Sequence, residues 1–234
     1  MSQPPEHLYI RPLTIYDLNQ CNQLEISGFP ENQRCTLEKF RYRLTVCPEL
    51  CSGIFIRKFT TRSSNSSLSS SSGDGNIGTD AEEDDYEYYH NSKFESEKLI
   101  GHIIGTKIFD QRITERSMEI PKYITNTSTT IDPTIPDNDK VGHVETSSTI
   151  GVHSVVIDNQ YRNMKLATLL IKDYIQKLTQ QEIGDKIVII CHEELIPFYE
   201  RIGFIDDGVS ECQFGGAKWH DMFIPLSKEE DDEE

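Results

Sequence analysis

The chain has 234 residues, 36% of them hydrophobic, with 39 acidic against 23 basic side chains and a formal charge of −16. That length suits one domain, residues 1–234, with a single core. The charge excludes unaided binding to DNA, RNA or an anionic membrane, whose phosphates are met with lysine and arginine; it suits a cationic small molecule. No basic segment leads into an apolar run at the start, and no stretch is apolar for long enough to cross a bilayer, so the expected compartment is the cytoplasm. Cys21, Cys35, Cys47, Cys51, Cys191 and Cys212 form no C-x-x-C pair. Free thiols and no metal site are expected from that spacing.

Residues 7–11 read as a strand closed by Pro12. Thr14 and Asp17 form a capping box for a helix through Leu18, Cys21 and Leu24, which stops at Phe29-Pro30. Thr36 caps a second helix with the apolar stripe Leu37, Phe40 and Leu44, and Pro48 ends it. Residues 52–59 read as a strand. Eight of the ten residues from Ser63 to Ser72 are serine, and an acidic run follows at residues 82–85. Such composition cannot offset the entropy of ordering the chain. Residues 60–94 are therefore expected to be a disordered insertion inside one sheet, since residues 98–106 read as the hairpin partner of 52–59. Residues 110–144, rich in Thr, Asn, Asp and Pro, are expected to form an irregular loop insertion, and residues 227–234 an acidic tail.

Thr149–Ile157 is an apolar strand. After a turn at 158–160 comes the strongest helix, residues 165–179, with Leu166, Leu169, Leu170, Tyr174 and Leu178 at helical spacing. The strand Lys186–Cys191 follows, so the three elements form a β-α-β unit with parallel strands. A short helix at 194–201, a strand ending at Val209 and a last strand from Gln213 or Ala217 to Leu226 complete the chain, the last two as a hairpin. The predicted class is α/β (α+β), a mixed central sheet with helices on both faces.

Three places carry chemistry. The turn from Ile157 into the long helix offers unpaired backbone N–H groups and the positive end of a helix dipole, with Arg162 and Lys165 adding positive charge to an acidic chain. This is either a phosphate site or an ordinary solvent-facing first turn. His153, inside an apolar strand, is either a satisfied core residue or a proton acceptor facing a cleft. Tyr199 on the short helix either donates a proton to a leaving group or completes the core. No His–Asp constellation is identifiable around Cys191, which argues against a covalent mechanism.

Three longer runs carry a family resemblance. They are residues 10–30 with 41–53 (Arg-Tyr-Arg-Leu-Thr-Val-Cys-Pro-Glu-Leu-Cys-Ser-Gly), residues 152–167, and residues 191–204 (Cys-His-Glu-Glu-Leu-Ile-Pro-Phe-Tyr-Glu-Arg-Ile-Gly-Phe). Together they resemble the GCN5-related N-acetyltransferase (GNAT) superfamily, and within it the arylalkylamine (serotonin) N-acetyltransferases, above all fungal members that acetylate polyamines. The resemblance implies acetyl-coenzyme A as co-substrate, bound between the strands ending at Ile157 and Cys191. It implies that backbone groups of Val155, Val156 and Ile157 meet the pantetheine arm, and that amides of Arg162, Asn163, Met164, Lys165, Leu166 and Ala167 hold the pyrophosphate. His153 would take the amine proton and Tyr199 would protonate the departing thiolate. The partners implied are small primary amines, arylalkylamine or polyamine, acted on by a monomer without metal, nucleic acid or membrane.

Two positions depart from the family pattern. A second histidine of the animal enzymes is replaced by Gly151, which leaves proton removal to His153, Glu25 or a water chain. The usual loop glycine is replaced by Lys165. An apolar pocket around Phe29, Pro30 and Phe198 would suit an aromatic ring, and carboxylates at its far end would suit a polyamine. The alternatives are a protein N-terminal or lysine acetyltransferase, or a catalytically inactive acyl-coenzyme-A-binding module.

Overall fold

The computed structural model describes residues 5–61, 92–122 and 140–226; expectations for residues 62–91, 123–139 and 227–234 lie outside the described residues. The described residues form one mixed sheet from β1 (Leu8–Pro12), β2 (Cys51–Thr61), β3 (Ser92–Ile108), β4 (Thr149–Ile157), β5 (Lys186–Cys191), β6 (Ile205–Val209) and β7 (His220–Pro225). Their order is β1-β2-β3-β4-β5-β7-β6, and only β4 and β5 are parallel. Strands β2 and β3 run further than expected, pairing Phe59 with Phe94 and Thr61 with Ser92 inside the span assigned to the insertion. The edge-on contact of the Phe59 and Phe94 rings, 6.4 Å between centroids, supports that extension.

Helices α1 (Leu18–Gly28) and α2 (Leu37–Val46) cover one face of the sheet; α3 (Leu166–Gln180) and α4 (Ile196–Glu200) cover the other. On the α3 face, Leu166, Leu170, Tyr174 and Leu178 meet Ile54, Ile103, Ile150 and Ile187. Each of these fully buried aliphatic side chains contributes about 1.5–3 kcal/mol. On the α1 face, Leu24, Phe40 and Leu44 pack on Phe55, Leu99, Ile104 and Val156. The loop after β3 is irregular yet adds Ile113 and Met118 to a third cluster with Ile108, Val188 and Cys212.

Three boundaries differ from the sequence reading. The long helix begins at Leu166, because Lys165 takes a left-handed conformation with φ of 60°. The segment 194–201 is a 3-10 turn, Glu193–Leu195, leading into α4. The last strand begins only at His220, since Gly215 and Gly216, at φ of 64° and 69°, turn the chain in Phe214–Gly216.

Strand β4 is bent where the site forms. Gly105 pairs with Val152 and Ile104 with Ser154, so His153 is the extra residue of a β-bulge. Strands β4 and β5 pair only at Thr149–Lys186, Ile150–Ile187 and Gly151–Val188, and then part. The bulge and the parting coincide, and together they open a wedge in the middle of the sheet.

Candidate active site

The wedge is a cleft of ≈ 100 Å³ between Val152–Val155 on β4 and Ile189–Cys191 on β5, with Phe29, Met118, Tyr199, Phe214 and Trp219 among its other walls. His153 and Tyr199 both line it. His153 reaches it because the bulge releases its backbone from the β3 ladder. Its Nε2 lies 2.7 Å from Oγ1 of Thr106, and its Nδ1 is buried without a hydrogen-bond partner. Burial, then the charges of Arg43 and Lys39, pull its pKa well below the ordinary histidine value. The ring is therefore uncharged at neutral pH.

Tyr199 stands on α4 opposite β4. Phe198 and Phe204 hold its ring edge-on at 5.0 and 5.5 Å. Burial raises its pKa, with the neighbouring Cys191 adding to the shift, so the hydroxyl keeps its proton at any physiological pH. Among the described residues the hydroxyl has no protein partner. The Cys191 thiol is pushed up to about 12 by burial and donates to Met222 Sδ at 3.4 Å, which leaves it no role as a nucleophile.

Of the β4 residues expected to meet the pantetheine arm, Val155 lines the cleft. Val156 turns its side chain into the α1 face and Ile157 into the α3 face. Only backbone groups of these two remain for a ligand, on the edge that β5 has left. At the outer end, Arg162, Asn163 and Lys165 are exposed, Met164 and Ala167 half-buried, and Leu166 buried. Asn163 and Lys165 both have positive φ, 65° and 60°. Among the described residues, the amides of residues 162–167 meet no protein acceptor. A loop of free amides at the start of a 15-residue helix is an anion cradle.

A buried polar network lies behind β4. Glu25 of α1, 2% exposed, accepts from Ser154 Oγ at 2.7 Å and from the Cys35 amide at 2.7 Å. His102 Nε2 lies 3.0 Å from the same Ser154 hydroxyl. Ser154 is the link, since it also lines the cleft. The position of the missing second histidine, Gly151, is filled by its neighbours. A Cβ there would lie 2.8 Å from Ile113 Cδ1 and 2.9 Å from Ile108 Cγ2.

The acceptor end of the cleft carries residues that sequence reasoning missed. Trp219 stacks on His192 at 4.2 Å and donates from Nε1 to the Phe214 carbonyl at 2.9 Å. His192 Nε2 lies 3.1 Å from Gln33 Oε1, and Asn32 Nδ2 donates to the Gly215 carbonyl at 2.5 Å. The short turns Glu31–Gln33 and Phe214–Gly216 thus meet across this end. Phe29 lines the cleft as expected, whereas Pro30 is exposed and Phe198 serves Tyr199 instead. The single tryptophan of the chain was the available signal. Among the described residues, no cluster of His, Cys, Asp or Glu could hold a metal ion, and no helix is long and apolar enough to cross a membrane.

Comparison with known proteins agrees with this geometry. Serotonin N-acetyltransferase of Mesocricetus auratus is 23% identical over 133 residues, 57% of this chain and 54% of that protein, so about half the relative's length is matched. The loading GNATL domain of CurA from Lyngbya majuscula superposes with a TM-score of 0.58 at 12% identity, covering 94% of this chain and 98% of that one. The ribosomal-protein-S18-alanine N-acetyltransferase of Escherichia coli gives a TM-score of 0.50 at 11% identity, covering 96% and 97%. At such identities the two structures speak for the fold alone. The family model described as an acetyltransferase (GNAT) domain matches residues 95–226, and with more than half its length so matched, this chain belongs to the GNAT acetyltransferase family.

Proposed function

We propose that the protein transfers the acetyl group of acetyl-coenzyme A to the primary amine of a small molecule, by direct attack in a ternary complex. The observation that carries this reading is the parting of β4 and β5 beyond Gly151–Val188, which opens His153 and Tyr199 to one cleft from opposite walls. The residues present fit the co-substrate. The free edge of β4 suits the amides of a pantetheine arm, and the unpaired amides of residues 162–167, with Arg162 and Lys165, suit a pyrophosphate. When bound, acetyl-coenzyme A supplies a thioester whose carbonyl carbon is the electrophile.

The chain's own groups do the rest. Uncharged His153 orients the amine through its unpartnered Nδ1. A backbone N–H of the freed β4 edge, that of Val155, polarises the carbonyl oxygen. Tyr199 donates its proton to the sulfur as the carbon–sulfur bond breaks. The amine's proton leaves through Ser154 towards Glu25 or through water, since a histidine with so low a pKa is a poor store for it. Two groups reach the amine and none needs to be acylated.

The aromatic walls Phe29, Phe214 and Trp219, and the lack of any carboxylate among the described lining residues, favour an arylalkylamine over a polyamine. The named activity of the hamster relative points the same way. The bridge from Asn32 to Gly215 crosses the acceptor end and weighs against an extended peptide. The six cysteines are all free and buried, which suits a reducing compartment such as the cytoplasm. Steady-state assays with acetyl-coenzyme A against tryptamine, spermidine and N-terminal peptides test the reading. Peptides acetylated with higher kcat/KM than either amine would overturn it.

A further inference from the structure

Arg43 of α2 is 3% exposed, yet among the described residues no carboxylate pairs with it. Its Nη1 donates to Cys35 Sγ at 3.3 Å and its Nη2 to the Met118 carbonyl at 3.2 Å. Cys35 offers no countercharge, because burial pushes its thiol up to about 11. The nearest carboxylate of the network, Glu25, sits at the other end of the same residue, on the Cys35 amide, and is engaged by Ser154. A lone buried guanidinium is costly, since little around it replaces water or a partner anion. Met118, on which it rests, is a wall of the cleft that His153 also lines.

We propose that Arg43 is a positioning residue for acyl transfer: its unpaired guanidinium, seated on the carbonyl of the cleft-lining Met118, sets a positive potential at the acceptor end that drives the bound amine towards its neutral, nucleophilic form. This rests on the reading above that an amine binds beside His153. The charged and titratable groups facing that end are Glu25 from α1, Cys35 before α2, Lys39 and Arg43 from α2, His102 from β3 and His192 after β5. Lys39 is ion-paired with Glu119 at 2.7 Å. Glu25 is hydrogen-bonded behind Ser154 and His102; burial leads in depressing His153, and Arg43 is the first of its charged causes, ahead of Lys39. A primary ammonium of ordinary pKa near 10 is almost wholly protonated at neutral pH and has no lone pair for attack. A fixed like charge nearby lowers that pKa, by about one to two pH units for a partly desolvated pair. In a protein of net charge −16, whose overall field attracts ammonium ions, one buried cation behind the cleft wall opposes that field where deprotonation is needed.

The test uses Arg43→Met, which keeps length and loses charge, beside Arg43→Lys, which keeps charge. Imidazole NMR titration, with His153 assigned through His153→Gln, is expected to show its inflection rising in Arg43→Met, while burial still keeps it below the ordinary value, and unmoved in Arg43→Lys. The acidic limb of kcat for tryptamine should move up by about one pH unit in Arg43→Met and stay in place in Arg43→Lys. An unmoved His153 titration in folded Arg43→Met overturns the proposal, as does a rate lowered equally at every pH. A shifted histidine with an unmoved limb overturns its claim about the amine. If Arg43→Met does not fold, Arg43→Gln, which can still donate to the Met118 carbonyl, must move the His153 titration in the same direction, and no shift overturns the proposal. If the intact protein acetylates no amine, the functional reading fails while the histidine titration still decides the field.

Discussion

The Nε2 of His153 lies 2.7 Å from the Thr106 hydroxyl across the bulge, leaving Nδ1 buried without a partner in an uncharged ring. A histidine at its ordinary value would titrate near pH 6.5 and shape the rate profile there. This one has a pKa held well below that value, so the part proposed for it is to hold the amine. His153→Gln is expected to lower kcat/KM about tenfold while leaving the acidic limb of kcat in place. Disappearance of that limb in the variant would return the role of base to His153, and loss of the limb in Glu25→Gln would give it to the carboxylate.

Tyr199 keeps its proton at physiological pH, and in the proposed mechanism it acts only as the carbon–sulfur bond breaks. Tyr199→Phe should therefore lower kcat by roughly one to two orders of magnitude, with little change in the Kd of acetyl-coenzyme A, because the interaction is made in the transition state. Single-turnover kinetics alongside calorimetry separate the two quantities. A silent substitution with chemistry rate-limiting would mean that another donor protonates the sulfur.

Lys165 sits at φ of 60° where the anion cradle turns into α3. A β-branched residue resists that conformation, so Lys165→Val is expected to destabilise the fold by about 1–2 kcal/mol. Lys165→Gly fits the backbone and should leave the melting temperature nearly unchanged while weakening acetyl-coenzyme-A binding through lost charge. Equal melting temperatures for the two variants would contradict the assigned backbone.

Two buried histidines make stability depend on pH. Burial leads in lowering the pKa of both His153 and His143. Below about pH 6.5 the unfolded chain binds protons that the folded one refuses, so stability present above that pH is lost as it falls towards the depressed values. The carboxylates of Asp17, Glu97 and Asp110, shifted down, act in a separate and more acidic window. Urea midpoints at pH 7 and pH 5 should differ less in His153→Gln than in the parent. An identical difference would remove His153 from the account.

Gly151 is expected to reject even a methyl group. The added carbon would crowd Ile113 and Ile108, so Gly151→Ala should destabilise by about 1–3 kcal/mol. A melting temperature equal to the parent's would show that the third cluster gives way, and that a histidine at this place is excluded for some other reason.

The strands that build the wedge were legible because Thr149–Ile157 and Lys186–Cys191 are short apolar runs bounded by turns. What the pattern hid is the bulge, since an unbroken run such as Thr-Ile-Gly-Val-His-Ser-Val-Val-Ile has no alternation to interrupt. Arg43 was hidden for a related reason. Periodicity put Leu37 in the apolar stripe of α2 and did not single out Arg43, whereas Leu37 is 41% exposed and Arg43 is 3% exposed. Trp219 and Phe214 come to the cleft through the β5-β7 pairing, a long-range contact that no local window contains. His153 and Tyr199 were found because a polar group in an apolar setting stands out in one dimension as well as in three.

The extra residue in β4 also constrains how this strand can change. Before it, Ile150 and Val152 face α3; after it, Ser154 and Val156 face α1, so the two halves of the strand are out of phase by one side chain. Deleting His153 would join Val152 to Ser154 in an unbroken ladder with Gly105 and Ile104, keep both on their present faces, and remove the bend at the wedge. Substitutions in β4 are felt one side chain at a time, whereas loss of its extra residue would straighten the strand where it parts from β5. The spacing of this strand is thus as much a part of the cleft as the groups it carries.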